Sequence, residues 1–554
     1  MQIADEAVVP SDEVYNPKVK ENKLTIGEKF LISVGTLAFV MIMVLTHHPE
    51  LYRGDRHEKL PQTNLLVGNF ENNFIVGWAE STATREFSSL NLDRSIGTYN
   101  MDHLGLTLSS VGIGTYLGEG TDEVDTTIEA AIYDSVMKGI NVIDTAINYR
   151  GMKSERCVGA ALKRLLTSGM VMRDSLFIST KGGFIPADSD KGSNYLRTAS
   201  EWAAAVSKYG EFPNDEIVDG KHCIAPACLN RSLELSRSNL GLNTIDLFYL
   251  HNAAEKQLGA VTDVVFKSRL KAAFTFLEGQ RKLNTIRFYG MATWSCFTVD
   301  YASPGYLSLI DVIKIAESVG GPNHGFRYIQ LPVTVTIPGA TKKNTQLLDL
   351  KEMSFLESAA ALNITVMSSR SIGGAKYQSL SSTVTVYQSC IAKNSEYALV
   401  LGEKMLSISA SNGGRSKRSA KIGHLSQAAT SLLVTRSIPR ITTALVGMKE
   451  SSHVSENVNI LNLPLVPSDI VLDCILAKQI DLSHTSPVNI HTHKIDQIKY
   501  KTEDPLSAAV HHHHHHSKSS RHIDSQSEDL SSGKLLRGGK LIKKQKRSRK
   551  LPER

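Results

Sequence analysis

The sequence predicts an α/β fold, a (β/α)8 TIM barrel, and three observations carry that reading. Between about residues 100 and 480, eight short apolar runs rich in β-branched and aromatic residues stand apart from one another. Windows with helical periodicity lie between successive runs, which is the pattern of parallel strands joined by crossovers rather than of hairpins. Eight is also the count at which such a sheet closes on itself.

The runs, in order, are "SSVGIGTY", "NVIDTA", "SLFISTK", "DLFYLHN", "IRFYGMATW", "RYIQLPV", "ITVMSSR" and "TTALVGM". Among the helical windows are "DEVDTTIEAAIYDSVMKG", "SERCVGAALKRLL", "LNRSLELSRSNLG" and "VVFKSRLKAAFTFLEGQRK". Gly139 and Gly241 stand where helix C-caps are expected. Residues 184–228 and 375–420 fit neither period. They are expected to be long loops after strands three and seven, at the barrel end where active sites are built.

The barrel is assigned to residues 97–480. Residues 1–96 form an N-terminal extension around one apolar segment, Phe30 to Leu45. At about 1.5 Å per residue that run falls somewhat short of the ~30 Å core of a bilayer, so it is read as a short transmembrane helix tethering the protein to a membrane. The alternatives are a buried helix, which would leave the protein cytoplasmic, and a signal or transit segment. Basic residues flank both sides, so no orientation is read. Residues 481–554 hold a run of histidines and "KLIKKQKRSRK", and are read as a low-complexity, disordered basic tail. Much of the formal net charge of +7 comes from this tail. A solvated tail is the plain reading, and no nucleic-acid partner is expected.

The six cysteines are sparse and form no CxxC pair. That pattern suits thiols in a reducing compartment and argues against a disulfide framework. "HCIAPAC", with His222, Cys223 and Cys228, comes nearest to a metal motif. It has no second ligand pair at zinc-site spacing, so it is read as an ordinary loop and no metal is expected.

Four chemistry-bearing residues fall at or just after strand ends. Asp144 ends "NVID", Tyr149 follows in the next loop, Lys181 closes "FISTK" and His251 closes "FYLH". A lysine ending an apolar strand needs a partner, and Asp144 on the neighbouring strand is the natural one. An ammonium beside Tyr149 would lower the phenol's pKa from about 10, making it a proton donor near neutral pH. His251 could hydrogen-bond a carbonyl oxygen. A dinucleotide fingerprint at Gly112, Gly114 and Gly118 is set aside, because its spacing is one residue too long and no acidic strand end follows.

These residues also carry a family resemblance. From Met101 to about Pro464 the chain resembles the aldo-keto reductases, through "LGLTLSSVGIGTYLG", "GINVIDTAINYRGMKSERCVGAAL", "ISTKGGF", "LGLNTIDLFYLHN", "YGMATW" and "TTALVGMKESSHVSENV". The long insertion is similar to that of a bacterial-type branch. The resemblance implies a catalytic tetrad of Asp144, Tyr149, Lys181 and His251. It also implies bound NADPH, with NADH the alternative, and a small carbonyl or alcohol substrate such as an aldehyde, ketone or sugar. Carried over residue by residue, it implies cofactor contacts from Gly114, Thr115, Tyr116 and Asp144, from Gln330 to the carboxamide, and from Gly447, Glu456 and Asn457, with Lys449 and His453 near the 2′-phosphate. Two positions depart from the pattern: Ala292-Thr293 replace the usual Ser-Asn, and Ser369 stands where an aromatic often stacks. A second function class is a cofactor-binding regulatory or channel-associated scaffold on the same barrel; the intact tetrad favours the enzyme.

Overall fold

The computed structural model describes residues 70–71, 74–90, 97–191, 202, 207, 216–373, 377–411 and 421–483. Eight parallel strands close into a barrel in which each pairs with its neighbours in sequence. They are β1 Val111–Gly114, β2 Val142–Asp144, β3 Phe177–Gly182, β4 Ile245–His251, β5 Ile286–Ala292, β6 Phe326–Pro332, β7 Thr365–Ser369 and β8 Ile441–Gly447. Each of the eight expected runs supplies one. Every residue of β3 and β4 is buried, because one face fills the barrel and the other meets the helices. That explains why these runs read as continuously apolar rather than alternating.

The principal helix after each strand is α1 Asp122–Met137, α2 Lys153–Thr167, α3 Pro226–Leu240, α4 Asp263–Lys282, α5 Leu309–Gly320, α6 Phe355–Ala361, α7 Gln427–Ser437 and α8 Ser451–Leu461. Their ends follow local chemistry. The Thr121 hydroxyl accepts from the Val124 N–H to start α1, and three acidic residues occupy its first turn against the positive end of the helix dipole. Pro226 opens α3, and Gly241 closes it in the left-handed conformation. Ser354 and Glu357 form a reciprocal capping box at α6.

Register brings the functional strand ends level. Gly114 pairs with Asp144, Asp144 with Ser179, Lys181 with Tyr249, and His251 with Ala292. The opposite end of the barrel is floored by a hairpin, Tyr99–Met101 with Thr107–Ser109. The helix Ser81–Ser89 also packs there, since the Thr107 N–H donates to Thr84 Oγ1 at 3.1 Å.

That helix moves the domain boundary from where the sequence placed it. Ile75 bonds through its backbone to Gly241 and Asn243, Phe87 is buried, and the Ala79 N–H donates to Asp246 Oδ1 at 2.6 Å. Asp246 is itself buried and also accepts from Arg173 and the Ile178 N–H. Among the described residues, the packed unit thus includes 74–90, ahead of residue 97. The polar, mixed pattern of 74–90 hid this, because only a few of its residues face the barrel.

Two further expectations are corrected. The segment after β7 is not an irregular loop: Tyr377–Ala392 and Ser395–Ser411 are helices. Their serine- and threonine-rich sequence has little polar-apolar contrast to reveal a period. The cysteines are not all free thiols either. Cys223 is joined to Cys228, and Cys390 to Cys474 across 84 residues, tying Tyr377–Ala392 to the helix Ser468–Ser483. Spacing cannot announce a pair whose halves meet only in the fold. The apolar segment 30–45 and the tail beyond residue 483 lie outside the described residues. Among the described residues no helix is long and apolar enough to cross a membrane, and no group of histidine, cysteine or acidic side chains could hold a metal.

Truncation tests the revised boundary. A fragment of residues 66–483 should unfold cooperatively and exceed a 97–483 fragment in stability by about 3 kcal/mol or more, from the lost burial of Ile75 and Phe87 and the lost partner of Asp246. Equal denaturant midpoints with equal slopes would show that residues 74–90 contribute nothing.

Candidate active site

At the C-terminal mouth of the barrel, three strands converge on one carboxylate. Asp144 ends β2 with its side chain pointing inward. Lys181 Nζ donates to its Oδ2 at 2.6 Å from β3, while Ser179 Oγ and Gln330 Nε2 each donate to its Oδ1 at 2.8 Å. Ser179 and Lys181 share the inner face because strand side chains alternate. Lys181 has no accessible surface and also donates to the Thr145 carbonyl at 2.8 Å. Burial by itself would pull the lysine's pKa down, but Asp144 and then Tyr149 outweigh it and hold the pKa above the ordinary value.

Tyr149 reaches this pair from the turn that follows β2. Arg150, Gly151 and Met152 are consecutive residues in the left-handed conformation, and they swing the chain from the tyrosine into α2. Gly151 is required twice over: its φ is +59°, and a Cβ there would lie 2.0 Å from Ser189 Oγ. Beyond it, Ser154 Oγ donates to the Thr115 carbonyl at 2.7 Å. The buried Glu155 carboxyl accepts from Thr180 Oγ1 at 2.6 Å and Asn239 Nδ2 at 2.8 Å. Gly151, Ser154 and Glu155 of the motif are therefore scaffolding that fixes where Tyr149 stands.

The Tyr149 ring lies edge-on to Tyr116 and to His251, at centroid distances of 5.0 and 5.8 Å, with Lys181 Nζ 4.7 Å from its centroid. The sequence led us to expect a lowered phenol pKa. The opposite holds: enclosure of the hydroxyl raises it, Lys181 opposes this, and nearby Asp144 adds to the rise. Enclosure outweighs the ammonium, and the carboxylate bonded to that ammonium acts in the same direction as enclosure. His251 is buried and neutral, its pKa pushed well below the usual value by burial, then by Lys181 and His222. Its Nδ1 has no hydrogen-bond partner in the protein, and neither do Thr145 Oγ1 and Asn148 Oδ1. A buried polar atom left open beside Tyr149, as His251 Nδ1 is, marks where a polar ligand fits.

The expected cofactor residues fall into two groups. Gly114 pairs with both Asp144 and Gly447, so β1, β2 and β8 end side by side. Thr115 is buried, with Oγ1 donating to the Asp144 carbonyl at 3.2 Å, while Tyr116 is half exposed at the rim. Gln330 stands across the barrel on Asp144. Lys449, His453, Glu456 and Asn457 lie apart from the tetrad, on the exit from β8 and on α8. Lys449 and His453 are exposed or partly so, Glu456 accepts from Ser426 Oγ, and Asn457 is buried.

Two features escaped sequence reading. Glu255, in the short helix Ala253–Gln257, accepts from Thr293 Oγ1 and from the Trp294 and Ser295 N–H groups. It occupies the hydroxyl of the residue that departs from the family's Ser-Asn. Arg370, just after Ser369, lies 4.4 Å above the Trp294 ring. Neither residue had a spacing signal; each is defined only by the loop it meets.

Compared with known proteins, residues 110–311 match the model of the Aldo/keto reductase family. No curated protein matches the chain. Similar solved structures include the glycerol dehydrogenase from Gluconobacter oxydans, 17% identical over 72% of this chain and 100% of that one, with a TM-score of 0.43. Another is an aldo/keto reductase from Klebsiella pneumoniae in complex with NADP and acetate, 14% identical over 69% of this chain and 95% of that one, with a TM-score of 0.40.

The ion pair makes a prediction about stability. Lys181→Met should cost about 3–5 kcal/mol, since it strands a buried carboxylate, and adding Asp144→Asn should recover part of that loss. Folding raises the lysine's pKa, so its contribution is complete below the unfolded value of about 10.4 and is lost as pH climbs through the folded value. Wild type should therefore lose more stability above pH ~10.4 than Lys181→Met does. Additive single and double substitutions in urea unfolding would refute the coupling.

Proposed function

We propose that the protein is an NAD(P)H-dependent oxidoreductase acting on a small carbonyl or alcohol substrate, with Tyr149 as its acid, a reading supported by the match of residues 110–311 to the Aldo/keto reductase family model. The observation that carries this reading is the buried Lys181–Asp144 pair beside the Tyr149 phenol, next to a neutral His251 with an unpaired ring nitrogen. A reduced nicotinamide dinucleotide, when bound, supplies the hydride to the carbonyl carbon and leaves oxidised. Gly114, Thr115, Tyr116, Asp144, Gln330 and Gly447 would hold its nicotinamide end; Lys449, His453, Glu456 and Asn457 would hold its adenine end. NADPH is favoured over NADH because Lys449 and His453 place basic groups at the start of α8, where helix N–H groups also welcome phosphate.

The chain's own work is proton management. Tyr149 Oη gives its proton to the carbonyl oxygen as negative charge develops there. Lys181 stabilises the phenolate left behind, and Asp144 keeps Lys181 in place. His251 hydrogen-bonds the substrate oxygen and orients it toward the tyrosine. Tyr116 and Phe184, edge-on to Tyr149 and His251, supply aromatic surface beside them. Alcohol oxidation runs the same proton back onto Tyr149. A purely scaffolding role has no use for an intact proton donor over a buried ion pair.

Tyr149→Phe removes only the phenolic oxygen. With the full chain and a panel of aldehydes, ketones and sugars, kcat should fall by about 10²-fold or more, while NADPH affinity by fluorescence titration stays within a few-fold and is unaffected by chelator. Near-normal turnover would remove Tyr149 as the acid and bring back the scaffold. The membrane tether at 30–45 remains part of the proposal, and full release of the protein from membranes by high salt and carbonate would sink it.

A further inference from the structure

His222 belongs to none of the groups above, and its surroundings give it a defined task. It is completely buried, with its ring edge-on to Phe184 at 5.1 Å. Its Nε2 lies 2.8 Å from the backbone carbonyl of His251, and its Nδ1 lies 3.2 Å from Gln257 Nε2. Gln257 is buried too, and Arg269 Nη1 donates to its Oε1 at 2.7 Å. A guanidinium can only donate. The Gln257 oxygen must therefore face Arg269, and its amide nitrogen must face His222. Nδ1 of His222 is then an acceptor, the ring proton resides on Nε2, and that N–H donates to the His251 carbonyl. The charge on Arg269 fixes the tautomer through Gln257.

The carbonyl it holds sits at a critical point. His251 is the last residue of β4, and the chain leaves the sheet at Asn252, which is left-handed with φ +52°. The segment carrying His222 is anchored to the end of β3 as well. The Cys223 N–H donates to the Gly183 carbonyl at 2.7 Å, and the Ile185 N–H to the Lys221 carbonyl at 2.8 Å. Gly183, two residues beyond Lys181, must be glycine: its φ is +134°, and a Cβ would lie 2.9 Å from His222 Nε2. The Cys223–Cys228 bond fastens the next residue to the first turn of α3.

We propose that His222 is a positioning residue for the reaction, its neutral Nε2–H holding the His251 carbonyl and so setting the His251 ring against Tyr149. The inference rests on the reductase reading of the site. It excludes a metal-ligand role for His222, because both ring nitrogens are engaged with protein.

The test uses the full chain. His222→Leu removes the donor, His222→Gln places an amide N–H near the original Nε2, and His222→Asn carries the same amide one methylene short. Expected are a fall in kcat of about 10-fold for the leucine and asparagine variants and recovery to within about 3-fold of wild type for glutamine. NADPH affinity should stay within about 2-fold for all three, with melting temperatures confirming the fold. If the leucine variant does not fold, the asparagine–glutamine comparison decides alone. Equal kcat for those two, or wild-type kcat for leucine, overturns the proposal. Tyr149→Phe, measured alongside, separates the two levels: a normal rate there fails the reductase reading, whereas a slow Tyr149→Phe with a normal His222→Leu fails only this inference.

Discussion

A lysine without accessible surface is the constraint around which the mouth of this barrel is arranged. An ammonium at that depth is tolerable only with a carboxylate in contact and its other protons engaged. Asp144 meets the first need, and the Thr145 carbonyl and the tyrosine side meet the second. The carboxylate in turn needs its remaining lone pairs filled, and Ser179 and Gln330 fill them from two other strands. One ion pair thus couples β2, β3 and β6 across the interior. The register of a closed barrel makes that coupling possible, because a slip of one residue would turn Lys181 outward.

The same logic of satisfied burial runs through the supporting shell. Glu155 is held by Thr180 and Asn239, Asp246 by Arg173 and two backbone N–H groups, and His222 by an amide whose orientation a guanidinium dictates. Each buried polar group is a joint between elements distant in sequence. The floor of the barrel uses Asp246 to fasten the segment 74–90, and the mouth uses Asp144 to fasten the reacting residues. Conformational precision at the site follows from such joints, since apolar packing alone tolerates small shifts.

How far the sequence could be read depends on which of these joints are local. The eight strands were legible because burial on both faces writes an apolar run directly into the chain. Asp144, Lys181 and His251 were legible because strand ends are visible in the pattern, and Tyr149 because it follows at a fixed short distance. Glu255 and His222 were not, since each is defined by a loop or carbonyl many residues away. The Cys390–Cys474 bond is the extreme case, joining helices that no spacing rule connects. The helix Ser81–Ser89 was missed for a different reason: it is short and mostly polar, and Thr84 and Phe87 are its only buried residues.

The sign of the Tyr149 shift shows where local reasoning goes wrong even when the residues are right. A lysine beside a phenol lowers its pKa if the lysine acts as an isolated charge. Here enclosure of the phenol is the largest influence, and the carboxylate bonded to the ammonium adds to it. The consequence for chemistry is favourable. A phenol above its ordinary pKa keeps its proton across the neutral range and has one to give. On the proposed reading, hydride added at the carbonyl carbon would push the C=O electron pair onto the oxygen, which then becomes a strong base able to take the phenol's proton. Once the proton has gone, the phenolate and the ammonium form an ion pair of their own, and the carboxylate keeps the lysine in place. On the proposed reading of Tyr149 as the acid, the site is set to donate, and alcohol oxidation first requires the loss of a proton that burial favours keeping.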